Sequence, residues 1–288
     1  MPKKTPTLNL PSADDLFTAQ EERDDVGREK VLDISLSEID TFPDHPFLVK
    51  MDESMQAMVD SVTAVGIQTP AVVRRKEDGR YELVSGHRRK KACELAGLET
   101  MPCIVRQLSH DEAIIAMVDA NLQREIILPS EKARSYKMRL DAMNRQAGRP
   151  KKNNLTPAVS DSNESRTNEK LGEVVGESRE QIRRYIRLNE LIPPMLDMVD
   201  EGRIAMRPAV ELSYLPHEQQ EMLRDVMGSE DSTPSHIQAV KLRKLSGDGS
   251  LDYEAIVSII KMTIQLAHGS GFSLRQRMFL QDGRILLS

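Results

Sequence analysis

Tryptophan is absent from this 288-residue chain, and aromatic residues make up only 3% of it. A large single core built on aromatic side chains is thereby excluded. With 39% apolar and 30% charged residues, the composition predicts an elongated, mostly helical protein of two or three small-cored domains. Cysteine is also scarce. Cys93 and Cys103 lack C-x-x-C spacing and a companion histidine cluster, which leaves no basis for a disulfide framework or a zinc site and predicts two buried, reduced thiols. No apolar run approaches bilayer length; the longest, Ala255-Ile-Val-Ser-Ile-Ile260, is a third of what a span needs, and the N-terminus has no signal-peptide core. A cytoplasmic protein with no membrane partner is expected.

Charge is present in quantity but segregated. The net charge is −5, yet residues 1–60 carry six basic and fourteen acidic side chains, while residues 130–155 carry eight basic and two acidic. A phosphate backbone responds to local charge, so an acidic front and a basic middle predict a DNA face confined to part of the molecule. Residues 1–30 have no sustained periodicity and read as a flexible arm.

From there to about residue 128 the patterning predicts a compact α+β domain. A short strand and turn run from Val31 to Ile39. Met55, Met58, Val59, Val62 and Val65 fall at helical spacing and stop at Gly66. Ala71–Arg74 and Arg80–Val84 flank Glu77-Asp-Gly79 as a hairpin, a helix runs from Gly86 to Gly97, a strand spans Met101–Arg106, and a helix spans Asp111–Leu122 with Ile114, Ile115 and Val118 inward.

The most informative stretch lies inside this domain. In Tyr81-Glu-Leu-Val-Ser-Gly-His-Arg-Arg-Lys-Lys91, alternating apolar residues enter a Ser-Gly turn, and four cations open the following helix. Gly86 lets the backbone approach an anion, the N–H groups of a helix start point at it, and Arg88 and Arg89 offer fork-shaped donors; a solvated basic turn is the alternative. The segment resembles the phosphate-binding box, usually G-E-R-R, of the ParB family of DNA-partition proteins. Gly66-Ile-Gln-Thr-Pro70 resembles that family's G-x-x-Q-P motif, and Asn121-Leu-Gln-Arg124 its E-N-x-x-R motif. The resemblance covers residues 31–215. It implies a CTP-binding, DNA-clamping protein whose nucleotide is held by Gly66, Thr69, Ser85, Gly86, His87, Arg88, Arg89, Asn121 and Arg124, with Asn121 reaching Mg²⁺. Departures are His87 for Glu, Thr69 for Gln, and Ala120 for the Glu that helps hold the metal. The missing carboxylate weakens the expected Mg²⁺ site, and Asp119 could replace it only if the helix end rotated.

A second, all-α domain is expected over residues 129–215. Ser130 is read as the N-cap of a helix with Ala133, Tyr136, Leu140 and Met143 on one face. Residues 148–167, polar and rich in Asn and Ser, read as a disordered linker. Gly148-Arg-Pro150 resembles an AT-hook core, which would place Arg149 and Lys151 on DNA, although a plain basic linker remains the stronger alternative. Glu169 to Leu188 has helix-turn-helix spacing. Gly172 sits where two helices touch, Gly176 supplies the positive φ of the turn, and Ser178 and Gln181 form an S-x-x-Q capping box. With Ile182, Tyr185 and Ile186 inward, Arg179, Arg183, Arg184 and Arg187 face outward or flank the contact. Ser178, Arg179, Gln181, Arg183, Arg184 and Arg187 are the expected DNA-contacting residues, although Gln181 has a rival role in the cap. Glu190–Leu212 resembles the helical continuation of this motif in ParB proteins.

Residues 216–288 read as helices at Glu218–Met227 and Pro234–Leu245, a hinge at Gly247-Asp-Gly249, and a possible hairpin at 272–287. The resemblance implies dimerisation here, with Ile256, Ile259, Ile260, Ile264 and Leu266 as its apolar face.

The leading function is a nucleoid-associated homodimer that binds a centromere-like site in double-stranded DNA, closes with CTP and Mg²⁺, hydrolyses CTP slowly, and recruits a ParA-type ATPase through its arm for chromosome or plasmid segregation. The alternatives are a nucleotide-independent repressor, and a nuclease or phosphotransferase on the same fold.

Overall fold

A computed structural model of the chain describes residues 30–122, 124, 127–146, 171–172 and 176–269, with side chains to Lys261 in the last helix. The arm before residue 30, the linker 148–167 with Arg149 and Lys151, and the expected hairpin at 272–287 lie outside the described residues. Two compact units emerge, one of residues 1–45 and 49–113, the other of residues 46–48 and 114–288. The division falls inside a helix.

The first unit is a mixed five-stranded sheet with two helices packed on each other. In chain order it contains β1 (Val31–Ser35), β2 (Ile39–Asp40), α1 (Glu53–Val65), β3 (Ala71–Arg75), β4 (Tyr81–Ser85), α2 (His87–Ala96) and β5 (Thr100–Arg106). The strands lie in the order β1-β5-β3-β4-β2, with β1–β5 and β3–β4 antiparallel and β3–β5 and β2–β4 parallel. Val73 opposes Leu83, and Ala71 opposes Cys103. Alternation along β3 and β5 puts Ala71, Val73, Met101 and Cys103 into one core with Met55, Val62, Ala92 and Cys93. Asp78 and Gly79 make the expected turn, with Gly79 at φ 84° and its N–H donating to Lys76 O. Both cysteines are free and buried, and burial pushes the Cys103 thiol up to about 11. Val65 departs from its expected place: it ends α1 and is 62% exposed.

The second unit is helical: α3 (His110–Leu122, which begins in the first unit), α4 (Pro129–Gln146), α5 (Arg179–Arg187), α6 (Pro193–Asp200), α7 (Met206–Leu212), α8 (His217–Ser229), α9 (His236–Gly247) and α10 (Tyr253–Gly269). Of the α3 residues expected inward, Ile114 and Val118 are buried and Ile115 is intermediate. Gln220, fully buried, accepts from Ile192 N and donates to the carbonyls of Glu190 and Leu215, so all its groups are satisfied. Two expectations are corrected. Ser130 does not cap α4: it lies inside the helix, where its N–H and hydroxyl donate to the Asp200 carboxylate, and Glu131 accepts from Leu128 N at the helix start. Ile256, Ile259 and Ile260 do not form a free dimer face, because they are buried in this unit's own core with Leu223 and Leu242.

Candidate phosphate cradle and nucleic-acid interface

The cradle occupies the end of β4 and the start of α2. Ser85 closes the strand, and Gly86 turns the chain at φ 110°, ψ 23°. A Cβ at Gly86 would stand 2.9 Å from Ala71 Cβ and 3.4 Å from Arg89 Cζ, so backbone and space both require glycine. Gly86 supplies no side-chain cap, which leaves the first N–H groups of α2 for an outside acceptor. Arg89 Nη1 donates to the carbonyls of Thr69 and Pro70, at 2.5 and 2.6 Å. Burial lowers the Arg89 pKa from its ordinary value, and the bonds tie the cradle to the loop after Gly66, which ends α1 at φ 73°. Arg88 Nη2 donates to Ser54 Oγ at 2.6 Å and lies 3.6 Å from Asp52, the N-cap of α1, while its buried Nε has no hydrogen-bond partner. His87 is buried, and its ring centroid lies 3.6 Å from that of His45. Ser85, Gly86, His87, Arg88 and Arg89 therefore lie together at the start of α2, with Arg88 reaching the start of α1 and Arg89 the carbonyl of Thr69, whereas Gly66 stands at the opposite end of α1. Asn121 and Arg124 belong to the second unit. Asn121 is buried and donates to Met117 O, and Arg124 stands 5.5 Å over the Phe47 ring.

The nucleic-acid candidate is α5. Ser178 is its N-cap and accepts from Gln181 N at 3.2 Å; the reciprocal bond from the Gln181 side chain is not made, so only half of the expected box is present. Gly176 has φ 70°, and a Cβ at Gly172 would meet Glu177 O at 2.6 Å, so both glycines are required by the turn. Ile182 is buried with Tyr136 and Leu171, and Tyr185 and Ile186 pack beside them. The opposite face carries Arg179 and Arg183, both exposed, and Arg184, 3.6 Å from Glu180. Arg187 is held differently from the other three. Its Nη2 donates to Ser213 O at 2.7 Å, its Nε donates to Ser213 Oγ at 3.2 Å, and its guanidinium lies 4.2 Å from the Tyr214 ring centre. Lys132 of α4 reaches Glu177, just before the cap, at 2.6 Å and stands over Tyr185. Burial alone would lower the Lys132 pKa, but the bond to Glu177 and its charge outweigh that and raise it.

Residues 20–122 match the family description "ParB N-terminal domain", and residues 161–242 match "ParB HTH domain". The chain belongs to the ParB family. It is 32% identical over 165 residues to a probable chromosome-partitioning protein ParB of Neisseria meningitidis, covering 57% of this chain and 50% of that one. It is 31% identical over 188 residues to the chromosome-partitioning protein Spo0J of Thermus thermophilus, covering 65% and 61%. The chain thus spans about half to three fifths of the length of these relatives. Among solved structures, a C-terminally truncated ParB of Caulobacter crescentus complexed to the centromeric parS site is 20% identical over 80% of this chain and 99% of that one, with a TM-score of 0.42. The α+β ParB domain followed by a helical helix-turn-helix domain is as the sequence implied.

Within this ParB chain the start of α2 offers uncapped N–H groups to an anion, and in the other unit the end of α3 offers little to a cation. Ala120 offers no ligand, the Asp119 carboxylate lies 3.1 Å from Arg139 Nη2, and Asn121 has its amide nitrogen on Met117 O. Among the described residues no group of three or more His, Cys, Asp or Glu side chains is placed to hold a metal ion. Two residues beside α5 escaped the sequence: Tyr214 and Arg243, whose guanidinium lies 3.6 Å from the Tyr214 ring centre. The cation cluster Lys241-Leu-Arg-Lys244 is visible in the sequence, but nothing there joins it to α5.

Proposed function

We propose that this chain is a DNA-partition protein whose second unit binds a specific double-stranded site through α5, and whose first unit binds CTP as a switch. The observation that carries this reading is the exposed arginine stripe of α5 on a capped, glycine-tight turn whose other face is packed into the unit. An amphipathic helix of this kind presents cations to phosphates and fork-shaped donors to guanine edges. The CTP assignment is supported by the cradle: uncapped N–H groups at Gly86, a glycine that no other residue replaces without a clash, and Arg88 at its edge. On this reading the protein acts as a homodimer on a centromere-like site and engages a ParA-type ATPase through the segment before residue 30. Arg88 holds the triphosphate charge, and Arg89 holds the loop at Thr69 in place.

Isothermal titration of CTP, CDP and ATP, with and without duplex DNA, tests the proposal. CTP is expected to bind in preference to ATP, and Arg88→Ala to abolish that binding while DNA affinity stays within about twofold, because the two chemistries lie in separate units. CTP affinity retained in Arg88→Ala would contradict the cradle. A second reading, a nucleotide-independent DNA-binding protein, is favoured by Ala120, which offers no carboxylate where the family has one; absence of CTP binding at every magnesium concentration would establish it.

A further inference from the structure

The exposed stripe of α5 does not end at the helix. Arg183, Arg184 and Arg187 line a cleft of about 710 Å³ together with Glu211 of α7, Tyr214 in the turn after it, and Arg243 of α9. Arg187 and Arg243 lie 4.2 and 3.6 Å from the centre of the same Tyr214 ring, which is 44% exposed. Arg243 Nη1 also donates to Glu211 at 2.9 Å. The helix that carries Arg243 is firmly seated, since Ala239 and Leu242 are buried in the unit's core beside Leu212. A second, smaller cleft shares Arg184 and Glu211 and adds Arg207 and His236, so cations of α5, α7 and α9 line one continuous surface.

We propose that α9 is part of the DNA-contacting surface and that Arg243, supported by Tyr214, seats a backbone phosphate of the strand flanking the groove entered by α5. The inference rests on the DNA-binding reading above and adds a contact outside the helix-turn-helix. Two guanidinium groups on one ring repel each other, and Glu211 offsets only part of that charge; a phosphate diester between them would complete the balance with charge-assisted bonds. Stacking on Tyr214 and the bond to Glu211 hold Arg243 in place before DNA arrives, so little side-chain freedom is lost on contact. Four arginines and three glutamates, Glu180, Glu190 and Glu211, line the larger cleft, a small cationic excess that Arg207 extends in the smaller one and that suits a polyanion better than the apolar ligands clefts of this size commonly take. A phosphate contact carries no base information, so Arg243 is a positioning residue and Arg183 a candidate reader.

The test measures binding of the full chain to a random-sequence duplex and to a duplex enriched by selection, across a salt series. Arg243→Gln is expected to weaken both by about three- to tenfold and to reduce the salt slope by about one, with an unchanged melting temperature. Arg243→Lys is expected to keep the slope, because the charge remains. Arg224→Gln removes an equally exposed cation of the same unit, one paired with Asp225 and outside both clefts, and is expected to change neither value. Unchanged affinity and slope in Arg243→Gln, or an equal loss in Arg224→Gln, would overturn the proposal. A wild-type chain that binds neither duplex would instead overturn the DNA-binding reading on which it rests.

Discussion

Gly86 is the residue on which the cradle turns. Gly86→Ala forces a Cβ to 2.9 Å from Ala71 Cβ at a φ of 110°, and is expected to cost about 1–3 kcal/mol of stability together with nucleotide binding. Thermal melting checks it; an unchanged melting temperature would contradict the strain. Asp40 sets a pH dependence in the same unit. Its carboxylate takes hydrogen bonds from Arg80 and Lys76, which hold its pKa well below the ordinary 3.8 against the opposing effect of desolvation. A depressed carboxylate contributes stability that is present above pH 3.8 and is lost as pH falls through the lower folded value. Asp40→Asn is therefore expected to flatten the acid limb of the stability curve, as followed by circular dichroism from neutral pH downward. Local chemistry was legible where it acts within a few residues: Ser178 caps α5 as its spacing implies. It was not legible at Ser130, whose partner Asp200 is distant in sequence and appears only once α4 and α6 are folded together.

At the scale of elements, the setting of α5 depends on α4. Lys132 bonds Glu177 beside the cap, and Tyr136 meets Tyr185 edge-on at 5.7 Å, so the start and the inner face of α5 are both gripped by one helix. Lys132→Met leaves the half-buried Glu177 carboxylate without its cation. It is expected to cost about 1–3 kcal/mol in stability and to weaken site-specific DNA binding more than binding to random DNA, which parallel melting and anisotropy measurements would register. Equal losses on both DNAs would argue that Lys132 does not orient α5. Periodicity identified α1, α5 and the β3–β4 hairpin because each buries a face whose spacing is set by its own geometry. Three isoleucines of α10 were placed wrongly for the opposite reason. Ile256, Ile259 and Ile260 have helical spacing, but only the fold reveals that they are buried with α8 and α9 in their own unit, while the side chains of Ile264 and Leu266 lie outside the described residues.

For the whole molecule, segregated charge pointed to a cationic middle, but the count overstated what that segment presents to solvent. Of the eight cations in residues 130–155, Lys132 is bound to Glu177 and Arg139 is buried against Asp119, both inside the unit. Cations from α7 and α9, outside that segment, line the surface beside α5 instead. The central claim is that this ParB chain reads a specific duplex through α5 by a salt-sensitive contact. Selection from a random-sequence duplex pool, followed by affinity measurements over a salt series for the wild type and Arg183→Ala, tests it most directly. An inverted-repeat site should be enriched, with a log–log salt slope of about −5 for roughly six neutralised phosphates. Arg183→Ala should lose about 1–3 kcal/mol on that site and far less on random DNA. A slope near zero, or a pool from which no sequence is enriched, would contradict the claim.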